Sequence, residues 1–133
     1  MKTREVTGTW VLADLSPASG RVLFTPSRRL VDRPDGGWAY STDWDTAVFD
    51  VTSPGNEYRI VVDLPVACDL DTEGSLSAVL LCNDNPHLMP AGWLWRVTEQ
   101  IVGRSSRHWW LDLPDGVGPL ILGMRTAIDD PAA

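Results

Sequence analysis

Apolar and polar residues alternate most regularly between residues 64 and 114, and this stretch predicts two β-hairpins in succession. In the first, VACDLDTEGSLSAVLL (residues 66–81), an acidic turn separates two alternating runs. In the second, GWLWRVTEQIVGRSSRHWWLDLP (residues 92–114), the connection GRSS separates two arms that are rich in tryptophan. The residues expected to face the core in these runs are Leu76, Ala78 and Leu80, then Trp93, Trp95, Val97, Glu99 and Ile101, and finally Trp109, Leu111 and Leu113.

Shorter alternating runs lie on both sides of this stretch. Residues 5–14 and residues 20–26, separated by the turn SPASG, predict a third hairpin. Residues 46–52, 58–64 and 117–124 each predict one further short strand, whereas residues 27–45 and 83–92 read as loops. About eight strands at turn spacings of about ten residues are typical of an antiparallel β-sandwich. We therefore expect one all-β sandwich domain over residues 1–133, with an ordered core at about 5–125 and a frayed tail at 126–133.

Composition agrees with this prediction and excludes several classes of partner. The ten prolines and eleven glycines leave few windows in which a helix of ordinary length could form. A net charge of −7, with Arg28, Arg29 and Arg33 as the tightest basic group, argues against nucleic acid as a partner. The longest apolar run, residues 119–122, is too short to span a bilayer, so no membrane insertion is expected. Residues 1–5 show no signal peptide, which indicates synthesis in the cytoplasm.

The two cysteines are expected to be buried free thiols. If the turn of the first hairpin is centred on residues 72–73, Cys68 lies opposite residue 77 and Cys82 lies opposite residue 63. Directly opposed positions bring cross-strand Cβ atoms close together, and these two cysteines are not opposed. They are therefore expected to pack as small apolar side chains.

No arrangement of residues predicts a metal, a cofactor or a catalytic reaction. Asp69, Asp71, Glu73 and Gly74 have the spacing of a calcium loop, but its twelfth position is Leu80 and no flanking helices are expected. His87 and His108 lie on different elements and lack two further zinc ligands. A nucleophile elbow and a phosphate-binding glycine loop are both missing from the sequence. The chain is therefore expected not to be an enzyme.

Glu99 does not fit the pattern, because it shares the predicted core face of its strand with Trp95 and Val97. A carboxylate on such a face needs water or a partner. Either it reaches solvent near the strand end, or it pairs with a base such as Arg107 on the neighbouring strand.

Four motifs in order resemble a known family. They are Gly20-x-Val22-x-Phe24-Thr25-Pro26, then Leu70-Asp71-Thr72-Glu73-Gly74, then Gly92-Trp93-x-Trp95-x-Val97-x-Glu99, and then Arg107-x-Trp109-x-Leu111-x-Leu113-Pro114. This series resembles the N-terminal β-sandwich module of tail-fibre and minor tail proteins from phages of actinobacteria. The resemblance covers about residues 6 to 122, and it is closest from Leu70 onward. The family usually has Asp in place of Glu73 and Tyr in place of Trp95 and Trp109.

The resemblance implies a structural component of the virion, located in the phage tail and contacting other tail proteins. A homo-oligomer is expected as well, with a trimer favoured. Family members commonly continue into a fibre shaft or receptor-binding domains, so host recognition is not carried over to this chain. The expected contact residues are the aromatic and basic side chains of the loop at residues 28–45, together with one tryptophan of the second hairpin: Arg28, Arg29, Trp38, Tyr40, Trp44 and Trp110. The alternative is a carbohydrate-binding module that uses the same tryptophans to recognise glycans of a host surface.

Overall fold

Short strands joined by turns make up the residues described in the computed structural model, which are 2–32, 59–89 and 91–122. Ten strands are present in these residues, and no helix is found among them. The strands are β1 (Thr3–Thr9), β2 (Gly20–Pro26), β3 (Leu30–Asp32), β4 (Arg59–Val61), β5 (Val66–Asp69), β6 (Ser75–Leu81), β7 (Leu88–Met89), β8 (Trp95–Ile101), β9 (Arg107–Leu111) and β10 (Leu120–Ile121). The all-β prediction is confirmed.

The strands form three sheets. Sheet I has the order β10-β1-β6, sheet II the order β5-β2-β8-β9, and sheet III the order β4-β3-β7. The longest pairings are antiparallel: β1 with β6 from Thr3↔Leu81 to Thr9↔Ser75, and β2 with β8 from Gly20↔Ile101 to Pro26↔Trp95. Among the described strands, β1 and β10 form a parallel pair over two residues. The architecture is thus sandwich-like, and its long strands pair antiparallel with one another.

Side chains from all three sheets meet in one apolar core. Its members are Val6, Leu76, Ala78, Leu80 and Leu120 from sheet I, Val22, Phe24, Trp95, Val97 and Leu111 from sheet II, Leu30 and Leu88 from sheet III, and Trp93 and Leu113 beside strands β8 and β9. The rings of Trp93 and Trp95 pack edge to face, with their centroids 5.3 Å apart. Fully burying one large apolar side chain contributes about 1.5–3 kcal/mol, so this core is the main source of stability.

The hairpin predicted for residues 92–114 is confirmed. Strands β8 and β9 pair antiparallel from Trp95↔Leu111 to Glu99↔Arg107, and the connection GRSS joins them. The predicted core face is also correct, because Trp95, Val97 and Leu111 are buried. On the opposite face Arg96 is exposed, whereas Thr98 is buried.

The other two predicted hairpins are wrong. Strands β5 and β6 belong to sheets II and I, and strands β1 and β2 belong to sheets I and II. The turn before β6 does lie where the sequence places it: Asp71 Oδ1 accepts hydrogen bonds from the backbone N–H groups of Glu73 and Ser75, both at 2.9 Å. The turn after β1 comes earlier than the predicted SPASG, at residues 13–15, and Val11 and Pro17 form an antiparallel bridge around it. At each turn the chain crosses from one sheet to the other. Alternation defines which face of a strand is buried, but an arch between two sheets shows the same alternation as a hairpin.

The positions of the cysteines follow from this crossing. Cys68 pairs with Val22 across β5 and β2, and Cys82 follows β6 in sheet I, so the register predicted from a hairpin does not apply. Both are free thiols, Cys82 buried and Cys68 half-buried. Burial raises the pKa of both thiols above the ordinary value of 9.0.

Two short strands lie where the sequence predicts loops. Strand β3 falls within the irregular residues 27–45, and all three of its residues are buried; β7 falls within residues 83–92. Both strands are too short to show a periodic pattern, and they form by pairing with each other over Val31↔Met89 and Asp32↔Leu88. In the described segments, no helix is long and apolar enough to cross a membrane. Residues 123–133, which include the predicted tail, lie outside the described residues.

Candidate functional site

Two indoles surround the carboxylate that the sequence places on the core face of β8. Trp10 Nε1 donates a hydrogen bond to Glu99 Oε1, and Trp109 Nε1 donates to Glu99 Oε2 at 3.2 Å. Hydrogen bonds to an ionised acceptor are roughly twice as strong as neutral ones. We call Trp10, Glu99 and Trp109 the indole–carboxylate triad. It joins the chain that follows β1 of sheet I to strands β8 and β9 of sheet II.

Backbone contacts hold Trp10 in place. Its N–H donates to the carbonyl oxygen of Gly74 at 2.8 Å, and its own carbonyl oxygen accepts from the N–H of Ala18 at 3.0 Å. The six-membered ring of Trp10 lies against Gly8, where an added Cβ would stand 2.8 Å from ring atom Cζ3. The absence of a side chain at Gly8 therefore leaves the space in which the indole reaches Glu99.

A pocket of about 200 Å³ opens beside the triad. Its polar lining comes from Glu99, Arg104, Ser105 and Arg107, which belong to β8, the GRSS connection and β9. Its apolar lining includes Trp10, Val11, Leu12, Ala18 and Ile101. We call this space the end pocket. It is smaller than the ~300–1,000 Å³ sites of drug-sized ligands, so it has room for one small ring or one side chain.

The loop beside the end pocket is fixed by a local turn. Asp14 Oδ1 accepts hydrogen bonds from the hydroxyl and the backbone N–H of Ser16, and these bonds hold the pKa of Asp14 below its usual value. Leu15, between them, has a φ of 69° and is 79% exposed. Val11 and Leu12, which line the pocket, are about half exposed. The side of the pocket formed by this loop is therefore apolar and open to solvent.

The ion pair suggested for Glu99 and Arg107 does not form. Their Cα atoms are partners in the β8–β9 register, but the carboxylate takes its hydrogen bonds from the two indoles. Within residues 2–32, 59–89 and 91–122, ion pairs join Lys2 to Asp115 at 3.4 Å and Arg21 to Asp69 at 3.5 Å. The side chains of Arg104 and Arg107 are exposed and line the pocket with Glu99. The pocket therefore contains fixed acceptors and cationic donors together.

Three of the six contact residues predicted from the sequence are described, and they lie away from the end pocket. Arg28 and Arg29 are exposed between β2 and β3. Trp110 is half-buried on the outward face of β9, opposite Arg96 of β8. Trp38, Tyr40 and Trp44 lie outside the described residues. None of the three described residues lines the end pocket.

The sequence contained one signal for the end pocket, which is the carboxylate of Glu99 among apolar neighbours. Trp10, Arg104 and Ser105 gave no comparable signal, since Trp10 alternates like any core tryptophan and the other two occupy an ordinary turn. Trp10 reaches Glu99 only because β1 and β8 belong to sheets that face each other across the core.

A second exposed feature is a group of apolar side chains that runs from β4 to the first residue of β5. Ile60, Val62, Leu64 and Val66 are 58%, 53%, 67% and 42% exposed, respectively. We call these four residues the 60–66 apolar surface. This surface ends at β5, which is the outer strand of sheet II in the described part of the fold. Apolar groups next to an open sheet edge are typical of protein–protein contact sites.

No metal centre is formed by the described side chains. In these segments, no group of three or more His, Cys, Asp and Glu residues is placed to hold a metal ion. Asp71 is one of the residues with calcium-loop spacing, and its carboxylate accepts hydrogen bonds from two backbone N–H groups in the turn before β6.

Comparisons with protein-family models, with curated proteins and with solved structures found no match to this chain.

Proposed function

We propose that this protein is a non-enzymatic structural module of a phage tail, which acts in the virion through contacts with other tail proteins and with copies of itself. The observation that carries this proposal is the order and spacing of four sequence motifs between residues 20 and 114, which resemble the tail-fibre and minor tail module. No single motif is specific, and the resemblance depends on the order and spacing of all four.

The motif residues have framework positions, and this supports a structural role. The first motif is β2, the third contains most of β8, and the fourth contains β9, so three of the four motifs form adjacent strands of sheet II. The second motif is the turn that leads from sheet II to sheet I before β6. The residues of the four motifs therefore build the scaffold of the module, and such a scaffold is suited to attaching other parts of an assembly.

The 60–66 apolar surface supports contact with a protein partner. Four large apolar side chains are exposed within seven residues, and a soluble monomer gains nothing from leaving them in water. Strand β5, which is the outer strand of sheet II among the described strands, offers backbone groups for pairing with another strand. We infer that this surface contacts another copy of the chain within a homotrimer.

The location of the protein is tested by immunogold labelling of particles released from cells that encode the chain. Labelling confined to the tail is expected, with the chain present in mass spectra of the purified particles. A chain that is abundant in the lysate and missing from intact particles would overturn the proposal.

Self-association is tested separately by light scattering of the purified protein. The wild-type chain is expected to be a trimer, and Val62→Asp is expected to be a monomer because the charge would be buried in the interface. Val79→Asp is the matched control, since Val79 is 68% exposed on β6 and lies outside the 60–66 apolar surface. A wild-type monomer at high concentration, or equal effects of the two substitutions, would refute this interface.

A further inference from the structure

The end pocket combines a fixed acceptor with cationic donors. Two indole N–H groups hold the Glu99 carboxylate in one orientation, and each of its oxygens takes one of these bonds. A carboxylate has about four lone-pair sites, so about two remain for a ligand. Arg104 and Arg107 offer up to five N–H donors each, and Ser105 offers a hydroxyl.

The mixture of charges decides which ligands fit. An anion would meet the Glu99 carboxylate, and a simple cation would meet two guanidinium groups, so each would be repelled by part of the lining. A neutral group with several hydroxyls avoids both penalties, because a hydroxyl donates to the carboxylate and accepts from a guanidinium.

From this geometry we propose that the end pocket binds one sugar ring of a glycan, with Glu99 accepting and Arg104 and Arg107 donating hydrogen bonds to its hydroxyls. The apolar part of the lining suits the C–H face of such a ring: Val11, Leu12 and Ile101 are partly exposed, and the Trp10 indole lies next to Glu99. The volume of about 200 Å³ fits one ring and leaves a longer glycan chain in solvent.

This site differs from the sugar-binding alternative drawn from the sequence, which used Trp38, Trp44 and Trp110. It lies at the end of sheet II where β8 turns into β9, and it depends on a carboxylate in place of an exposed aromatic platform. The proposal is independent of the phage-tail assignment, because it depends only on the pocket lining.

The test is titration of the full ¹⁵N-labelled chain with glucose, galactose, mannose, rhamnose, arabinose and N-acetylglucosamine, followed by NMR. At least one sugar is expected to shift the indole N–H resonances of Trp10 and Trp109 in a saturable way. A single ring in a shallow site is expected to have a Kd of about 1 mM. No saturable shift at tens of millimolar with any of the six sugars would overturn the proposal. Saturable shifts with acetate, guanidinium or glycine and none with sugars would also overturn it, because the pocket would then select charged groups.

Variants link the binding to the pocket. Arg104→Ala and Arg107→Ala change exposed side chains, so the fold is expected to persist, and each is expected to raise the Kd at least tenfold. Arg96→Ala is the matched control, since Arg96 is exposed on the outward face of β8 and does not line the pocket, and its Kd is expected to be unchanged. Sugar binding that survives both pocket substitutions and is lost in Trp110→Ala would contradict the proposal by locating the site on β9.

Discussion

Replacing Glu99 by glutamine tests whether the indole–carboxylate triad fastens sheet I to sheet II. Both carboxylate oxygens accept an indole N–H, from Trp10 and from Trp109. Glutamine keeps one acceptor oxygen and puts an NH₂ group in place of the other, so one indole donor would face a second donor. Losing a hydrogen bond to a charged group costs about 1.5–3 kcal/mol. Since all three residues are only partly buried, we expect the lower end of this range.

The measurement is the free energy of unfolding in urea, together with the melting temperature. A loss of about 1.5 kcal/mol corresponds to a Tm about 6 °C lower for a domain of this size. Trp10→Phe and the double variant complete a cycle, and we expect a coupling energy between 0.5 and about 3 kcal/mol because the two residues are in contact. The free energy of unfolding of the wild-type chain is the reference for all three variants.

Glu5→Gln is the matched control. Glu5 is exposed on β1 and accepts a hydrogen bond from the Ser77 hydroxyl, so the same chemical change there is expected to alter stability by less than about 0.5 kcal/mol. If Glu99→Gln is as stable as Glu5→Gln, or if the cycle gives no coupling between Trp10 and Glu99, the triad does not fasten the two sheets.

Three further substitutions test other parts of the fold. Asn85→Ala removes the buried amide that binds both backbone groups of Lys2, and urea denaturation should show a loss of about 2 kcal/mol; a loss below about 0.5 kcal/mol would contradict this. Gly20→Ala should lower the free energy of unfolding far more than Gly103→Ala in the same assay. Both glycines have a positive φ, but a Cβ at Gly20 would stand 2.2 Å from a backbone oxygen of β8, whereas a Cβ at Gly103 would meet no atom within 4 Å. Equal losses would contradict this prediction. Burial raises the pKa of Cys82, so the free energy of unfolding should be constant below the unfolded pKa of 9.0 and should fall as pH rises through the folded pKa. In Cys82→Ala the free energy of unfolding should fall less steeply with pH. An identical pH dependence in the two proteins would exclude this thiol as a cause.

Alternation in the sequence was enough to predict the long strands and their buried faces, but not the short strands β3 and β7. Alternation identified Leu76, Ala78 and Leu80 as one core face, and Trp95 and Val97 as another. It also predicted the β8–β9 hairpin, but five-residue connections join both β8 to β9 and β5 to β6, so connection length alone did not distinguish a hairpin from a crossing between sheets. These features are local, since side-chain direction in a strand depends only on position along the chain.

The pairing of the other strands and the contacts of Glu99 depend on how the sheets pack against each other. The runs around β1–β2 and β5–β6 look like hairpins in sequence, yet each crosses between sheets, because the apolar faces of both runs can be buried in one core in either arrangement. The end pocket depends on that crossing. Trp10 and Glu99 are 89 residues apart, and they meet because sheets I and II bury their faces against each other. Periodicity along a chain contains no information on contacts of this range, so the carboxylate was visible in the sequence and its partners were not.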